Sequence, residues 1–534
     1  MVATTRPNIL LIMTDEERYP PPYEGAELAE FRRTQLPARE RLRTRSLEFH
    51  RHYAASTACI PSRASLFTGQ YPSLHGVTDT DGLTKAANDP SMCWLDPDGV
   101  PTMGDWFRAT GYQSHYRGKW HISHPDLVPV GSHTGLATND KDGNLIPEAV
   151  EAYERANRLD RYGFSGWIGR EPHGADPADT GLTKDEIYAD QIDALFDSLG
   201  ADPAAEPWLT VASLVNPHDI AFSGAGWELL GFPTPDKTVP SIPEPPSQRD
   251  SFDGRPSAQR AFTEVWPQML YEQPTDEAYR RLYIWLHKVV DHAIGRILDR
   301  LETSPFADRT IVVFTSDHGD LMGAHGGMQQ KWHNAFDEAI RVPLWISGPG
   351  IAPRDGGVTI PTSHVDLVPT LLGLTNADRT AAEHAVAEHH VEAQPLVGRD
   401  LSSLVHGEAD ETIFDDAVYF MTEDQISRGL NHVNRFTQRP FEPVAAPAKV
   451  ESVIARVGSG PDGRAELWKL SRYYDSVDDD DGVEWELYNL SLDPEERNNL
   501  AAIPAADEVC AHLVSVLSTQ RLGKRRTPRR VNVG

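Results

Sequence analysis

Asn8-Ile9-Leu10-Leu11-Ile12-Met13 opens an almost uninterrupted apolar run that gives way to Thr14-Asp15-Glu16. A run without polar alternation is buried on both faces, the pattern of an interior strand in a parallel or mixed sheet. Such sheets bind ligands beyond the carboxyl ends of their strands, so Asp15 and Glu16 stand where a hard cation would be held. The competing reading is a pair of acids capping a helix. The expected class is α/β.

Composition narrows the rest. A chain of 534 residues exceeds what one small core needs, and one large domain with a smaller companion is expected. The net charge of −29 argues against nucleic acid or an anionic membrane as partner and favours a bound cation. Three cysteines, Cys59, Cys93 and Cys510, form no even framework, so no disulfide is expected and a reducing, cytoplasmic setting is. The apolar run at 8–13 is too short for a signal peptide core or a membrane span.

Ala58-Cys59-Ile60-Pro61-Ser62-Arg63-Ala64-Ser65-Leu66-Phe67-Thr68-Gly69 carries the chemistry. Pro61 suits a first helical turn, and Gly69 suits the end of that helix. Cys59 would then face the positive end of the helix dipole, which favours an anionic substrate and lowers a thiol pKa. The bland reading is a small buried apolar residue.

Downstream, a helix is expected over 101–110 and a strand over 112–116, leading to Arg117-Gly118-Lys119-Trp120-His121, where Lys119 and His121 would share one side of an extended segment. Residues 125–180 and 222–275 are rich in Pro, Gly and Asp and read as long surface excursions that set substrate choice. Between them 208–215 reads as a buried strand ending at Asn216-Pro217-His218-Asp219. Apolar positions recurring at three and four predict an amphipathic helix from Asp276 to Leu301. The run 310–314 is another strand, ending at Thr315-Ser316-Asp317-His318. Asp317 with His318 is a mixed oxygen and nitrogen donor pair that suits Mn²⁺ at least as well as Ca²⁺.

Cys59-x-Pro61-x-Arg63 with Ala-Ser-Leu-Phe-Thr-Gly resembles the signature of type I sulfatases in the alkaline phosphatase superfamily. Gly118-Lys119-x-His121 resembles the second signature of that family, and 336–343 and 363–372 resemble further landmarks. The resemblance implies an alkaline-phosphatase-like large mixed β-sheet flanked by helices, with a smaller C-terminal antiparallel sheet and helix. It implies that Cys59 becomes formylglycine through a formylglycine-generating maturation enzyme, and that one divalent metal ion, Ca²⁺ or Mn²⁺, is held by Asp15, Glu16, Asp317 and His318. Glu16 departs from the family's usual Asp or Gln. Arg63 and Lys119 would fix the nucleophile, Lys331 the sulfuryl oxygens, with His333 in reserve. His121 would be the base for the geminal hydroxyl and His218 the acid for the leaving oxygen, although Asp219-Ile220 replaces the family's usual continuation. His325 receives no role.

The activity so implied is hydrolysis of a small-molecule sulfate ester; the alternatives are a phosphonate monoester or phosphodiester hydrolase and a non-catalytic oxyanion-binding relative. The expected domains are 1–375, catalytic, and 376–534, with three strands within 452–490, a closing helix over 505–520 and a basic tail from Arg521 to Arg530. That tail is either solvated or an arm between subunits of a homo-oligomer.

Overall fold

A computed structural model describes residues 6–172, 174, 176–202, 207–458, 465–476 and 481–529. Its larger sheet contains β1 (Asn8–Asp15), β2 (Leu47–Tyr53), β3 (Gln113–Gly118), β4 (Trp208–Pro217), β5 (Thr310–Ser316), β6 (Arg341–Ser347) and β7 (Thr362–Ser363). Their spatial order is β3-β4-β1-β5-β6-β2-β7. β1 lies parallel to β4 and β5, with Ile9 opposite Leu209 on one side and Ile311 on the other. β3 is parallel to β4, and β6 is antiparallel to both β5 and β2. The carboxyl ends of β1, β2, β3, β4 and β5 therefore share one edge of the sheet, the edge expected to bind ligand.

The apolar run of β1 is buried throughout and supplies two cores by simple alternation. Ile9, Leu11 and Met13 pack with Ile60, Leu66 and Phe67 of the Cys59–Thr68 helix, while Leu10 and Ile12 pack with the Gly181–Ala201 and Glu277–Glu302 helices. Phe67 lies among Tyr116, Trp120 and Phe164 at centroid distances of 5.6, 5.7 and 6.0 Å. Truncating such a ring typically costs about 3–5 kcal/mol. The 26-residue Glu277–Glu302 helix is capped by Asp276, whose side chain accepts the Tyr279 N–H, as its period-3.6 pattern predicted.

The second sheet is antiparallel, in the order β11-β10-β9-β8, from β8 (Val418–Thr422), β9 (Lys449–Val457), β10 (Glu466–Tyr474) and β11 (Glu484–Asn489). β8 was not anticipated: only five residues long, and buried throughout, it lacks the alternation that marks a half-exposed strand. The closing helix Asp507–Lys524 packs Leu513 and Leu517 on one face, and the other face meets Tyr53, Ala58, Trp332 and Phe336. Lys469 of β10 is fully buried and reaches Asp337 Oδ1 at 2.7 Å and Glu496 Oε1 at 2.8 Å, joining the second sheet to the one-turn helix Asp337–Ile340 before β6.

The excursions carry the Pro147–Ala156 and Ser257–Met269 helices, whose apolar stripes are obscured in the sequence by flanking Pro and Gly. Beyond residue 376 the Arg379–Ala387 helix packs Ala382 and Val386 into the core shared with the Cys59–Thr68 helix. The basic tail is not a solvated run. Arg521 and Arg525 pair with Glu451, and Arg525 with Glu423, on the same chain; Arg530 lies outside the described residues.

Candidate active site

Cys59 opens its helix and Gly69 closes it in the left-handed conformation, as read from the sequence. The whole helix is buried. Cys59 Sγ lies 3.1 Å from His318 Nε2 and 3.7 Å from Asp15 Oδ1. The expectation of a lowered thiol pKa is overturned. Burial first, and the neighbouring Asp15 carboxylate second, push the thiol up to about 12, outweighing the helix terminus and the pull of Lys331 and Lys119. As a thiol, this side chain is a poor nucleophile at neutral pH.

Arg63, one helical turn later, binds the surrounding carboxylates rather than Cys59 itself. Its Nε donates to Asp317 Oδ2 at 2.8 Å and its Nη2 to Asp15 Oδ2 at 2.9 Å. Its Nη1 donates to the Lys119 carbonyl at 2.8 Å and to Ser213 Oγ at 3.0 Å. Burial would raise the Asp15 pKa, but Lys119 and Arg63 hold it well below the usual carboxylate range. Lys119 Nζ sits 2.7 Å from Asp15 Oδ2. The outer oxygens of both acids are thus occupied, and their Oδ1 atoms face Cys59 and His318. His318 donates Nδ1–H to the Gly319 carbonyl at 2.9 Å, which leaves Nε2 as a bare lone pair on the same centre.

Lys119 and His121 do not share an extended segment. β3 ends at Gly118, which runs so close to β4 that a Cβ there would lie 1.9 Å from the Ser213 carbonyl. The chain then turns, and His121 has φ 57°, so strand alternation no longer applies. His121 Nε2 sits 3.1 Å from Asp81 Oδ1, and the backbone N–H groups of Trp120 and His121 both donate to Glu171 Oε1 at 3.1 Å.

His218 follows β4 and is half-buried, with a ring nitrogen within 4.8 Å of carboxylate oxygens of Asp15 and Glu16. Burial first and Lys119 second depress its pKa well below the usual imidazole range, so the ring is neutral here. The unexpected Asp219 accepts N–H from Gly181 at 3.2 Å and Leu182 at 3.1 Å at the start of the Gly181–Ala201 helix, which anchors the His218 turn. Lys331 Nζ lies 3.1 Å from Glu16 Oε2. The reserve, His333, is directed instead to the Ala448 carbonyl at 3.3 Å and packs on Phe262. His325 stacks on Phe336 and reaches Glu338 at 3.1 Å, a structural use.

The residues present fit a cation. Asp15, Cys59, Asp317 and His318 offer ligand atoms all within 4.8 Å of one another, and so do Asp15, Glu16 and His218. Neither carboxylate oxygen of buried Glu16 has a hydrogen-bond donor, and its pKa stands well above the usual range through burial and then Asp320, against the pull of Lys331. A buried acid left this way is complementary to a positive charge.

The sulfatase family model matches residues 7–377, a span that holds all ten residues discussed as site candidates from Asp15 to Lys331. The chain belongs to the sulfatase family. As a member, this protein is a sulfuric ester hydrolase. Choline-sulfatase from Rhizobium meliloti (strain 1021) is 29% identical over 389 residues, covering 70% of this chain and 68% of that protein. Uncharacterized sulfatase YidJ from Escherichia coli (strain K12) is 28% identical over 386 residues, covering 70% and 69%. In structure, this sulfatase matches a 2-O GAG sulfatase with TM-score 0.63 and 20% identity over 97% of this chain and 92% of the other. It matches phosphonate monoester hydrolase SpPMH from Silicibacter pomeroyi with TM-score 0.60 and 20% identity over 97% and 96%. At these identities the structural likeness establishes the fold, including the large mixed sheet and the small antiparallel one.

Sequence reading missed Ser213, Glu171, Asp81 and Asp424. Ser213 sits inside an apolar strand and Glu171 and Asp81 in loops without periodicity, so nothing local marked them. Asp424, just beyond β8, accepts the Ala58 N–H at 3.5 Å and Trp332 Nε1–H at 3.0 Å.

Proposed function

We propose that this chain hydrolyses sulfate monoesters to an alcohol and sulfate with residue 59 as nucleophile, after conversion of Cys59 to formylglycine, beside one divalent cation. The observation that carries the reading is the position of Cys59: buried at the start of its helix between His318 Nε2 and Asp15 Oδ1, within the group of residues that fits a cation. Formylglycine, as its hydrate, supplies one hydroxyl to attack sulfur and a second whose proton loss lets sulfate depart and restores the aldehyde. A cation held by Asp15, Asp317 and His318, with Glu16 alongside, supplies Lewis acidity and lowers the pKa of a neighbouring hydroxyl. The mixed donor set supports Mn²⁺ as well as Ca²⁺.

The chain's own residues supply position and charge. Arg63 fixes the two aspartates by their outer oxygens, so their inner oxygens cannot rotate away. Lys119 and Lys331 balance the acids and offer positive charge to an anionic sulfuryl group, where most of the barrier lowering in such transfers arises. His218 gives a proton to the departing oxygen. It is neutral in the free protein, and the proton it passes on is the one released by the attacking hydroxyl. His121, oriented by Asp81, takes the proton from the second hydroxyl. The balance is one ester and one water consumed, one alcohol and one hydrogen sulfate formed.

Co-expression with a formylglycine-generating enzyme, followed by mass measurement of the residue 59 peptide, tests the nucleophile: the peptide should lose one sulfur and two hydrogens and gain one oxygen. Elemental analysis tests the cation. The likeness to a phosphonate monoester hydrolase keeps phosphonate esters as the second reading; parallel turnover of an aryl sulfate and an aryl phosphonate decides between them.

A further inference from the structure

A cavity of ≈ 340 Å³ has His121 on its wall. His121, through its near neighbour in the chain, Lys119, ties this space to the reacting centre, since Lys119 Nζ sits 2.7 Å from Asp15 Oδ2. Five carboxylates line it: Asp81, Asp126, Glu171, Asp176 and Asp179. Three are engaged, Asp81 with His121 and the pair Asp176 and Asp179 with Arg170. Among the described residues, no ion pair forms to Asp126 or Glu171.

Glu171 is the decisive group. It is 8% exposed, and while Oε1 takes the two backbone N–H groups of Trp120 and His121, Oε2 has no hydrogen-bond partner. Burial first, and the Asp126 carboxylate second, lift its pKa to about 8. Asp126 is joined to it through the Glu171 N–H at 3.0 Å. It is also held from behind by Gly135, where a Cβ would come within 2.6 Å of Asp126 Oδ2. A buried carboxylate of this kind is costly unless something positive completes it. Trp94 also lines the cavity, half-buried, its Nε1–H fixed on the Ala87 carbonyl at 2.9 Å so that the ring keeps its orientation. Asp126, together with Glu171 once an arriving cation displaces its proton, and the fixed indole that lines the same cavity suit a cationic nitrogen.

We propose that this cavity receives the alcohol portion of the substrate, and that this portion carries a positively charged nitrogen held by Glu171 and Asp126 against Trp94. The inference rests on the sulfatase mechanism above for the direction in which the leaving group departs. Glu171 and Asp126 are specificity residues and touch no reacting atom.

The test compares choline O-sulfate with its uncharged carbon isostere, 3,3-dimethylbutyl sulfate, on the matured enzyme. The two esters share shape and leaving-group type and differ in one charge. The cationic ester should be favoured by roughly tenfold or more in kcat/KM. Glu171→Gln, which keeps an oxygen for the two backbone N–H groups, should bring that ratio towards one, whatever it does to the uncharged ester, and Asp126→Asn should lower it independently. A purely structural role would move both esters together and leave the ratio unchanged. Turnover of 4-nitrophenyl sulfate reports separately on the sulfatase mechanism. Should no ester be hydrolysed, calorimetric titration of Cys59→Ala with the same two compounds still decides the proposal. Equal kcat/KM or equal binding for the two compounds, or a ratio untouched by both substitutions, overturns it.

Discussion

His318 Nε2 lies 3.1 Å from Cys59 Sγ, with the opposite ring nitrogen tied to a backbone carbonyl. The imidazole cannot turn away without giving up that bond, so position 59 is held against whatever His318 ligates. Cys59→Ala should therefore abolish turnover of an aryl sulfate while leaving thermal stability within a few degrees, because a methyl group is tolerated at a buried helix start. Cys59→Ser should be nearly as inactive, since by resemblance bacterial maturation acts on cysteine at this motif. Residual activity in the alanine variant within a few-fold of the parent would refute the nucleophile assignment.

Chelation should end activity and lower the melting temperature, and restoring the cation should recover both, because binding to the native state alone adds stability. Asp317→Asn should abolish activity and destabilise by about 3–5 kcal/mol, since it removes one of the two carboxylates compensating the buried Arg63 guanidinium. Glu16→Gln should be milder in stability, as its contact to Lys331 lacks hydrogen-bond geometry. Denaturant midpoints and metal content together check all three.

The two histidines should part company by leaving group. His218→Ala should impair an alkyl or unactivated phenyl sulfate far more than 4-nitrophenyl sulfate, the difference approaching the ~10²–10⁴-fold that general acids supply. His121→Ala should slow good and poor esters alike and accumulate sulfated protein, visible by mass. Equal sensitivity of both variants to leaving-group pKa would end this division of labour.

Buried neutral histidines make the fold acid-labile. His75 accepts the Val77 N–H at Nδ1 and lies 3.1 Å from Ser65 Oγ through Nε2, so an added proton would face a donor. Burial lowers its pKa from 6.5 to about 3. Between those values the unfolded chain binds more protons than the folded one, so this contribution is complete above pH 6.5 and is lost as pH falls towards 3. His75→Gln should cost stability at neutral pH yet show a smaller drop in melting temperature between about pH 7 and about pH 5. A drop identical to the parent's would contradict the assignment.

The sequence made β1, β4 and β5 legible because unbroken apolar runs bounded by acid or His have few other readings. Asp15, His218 and Asp317 lie at the ends of these strands, as the same logic expects, since a strand end fixes where the next side chain goes. Lys119 and His121 were grouped by an alternation that a single left-handed residue cancels. The Cys59 thiol was misjudged because a helix terminus is visible in sequence, whereas a buried carboxylate 44 residues away in the chain is not. Glu171 lay beyond reach for a related reason: its importance comes from what fails to pair with it, which only packing reveals.

The hydroxyl of Thr422, the last residue of β8, donates to the carbonyl of Thr57, 365 residues earlier, and Asp424 takes the N–H of Ala58. The peptide around Cys59 is thus sealed by a strand made long after it in synthesis, leaving the residue 3% exposed. Another protein can grasp that peptide only before the seal closes. On the proposal that Cys59 becomes formylglycine, the timing of its conversion relative to folding would decide how much of the protein is active.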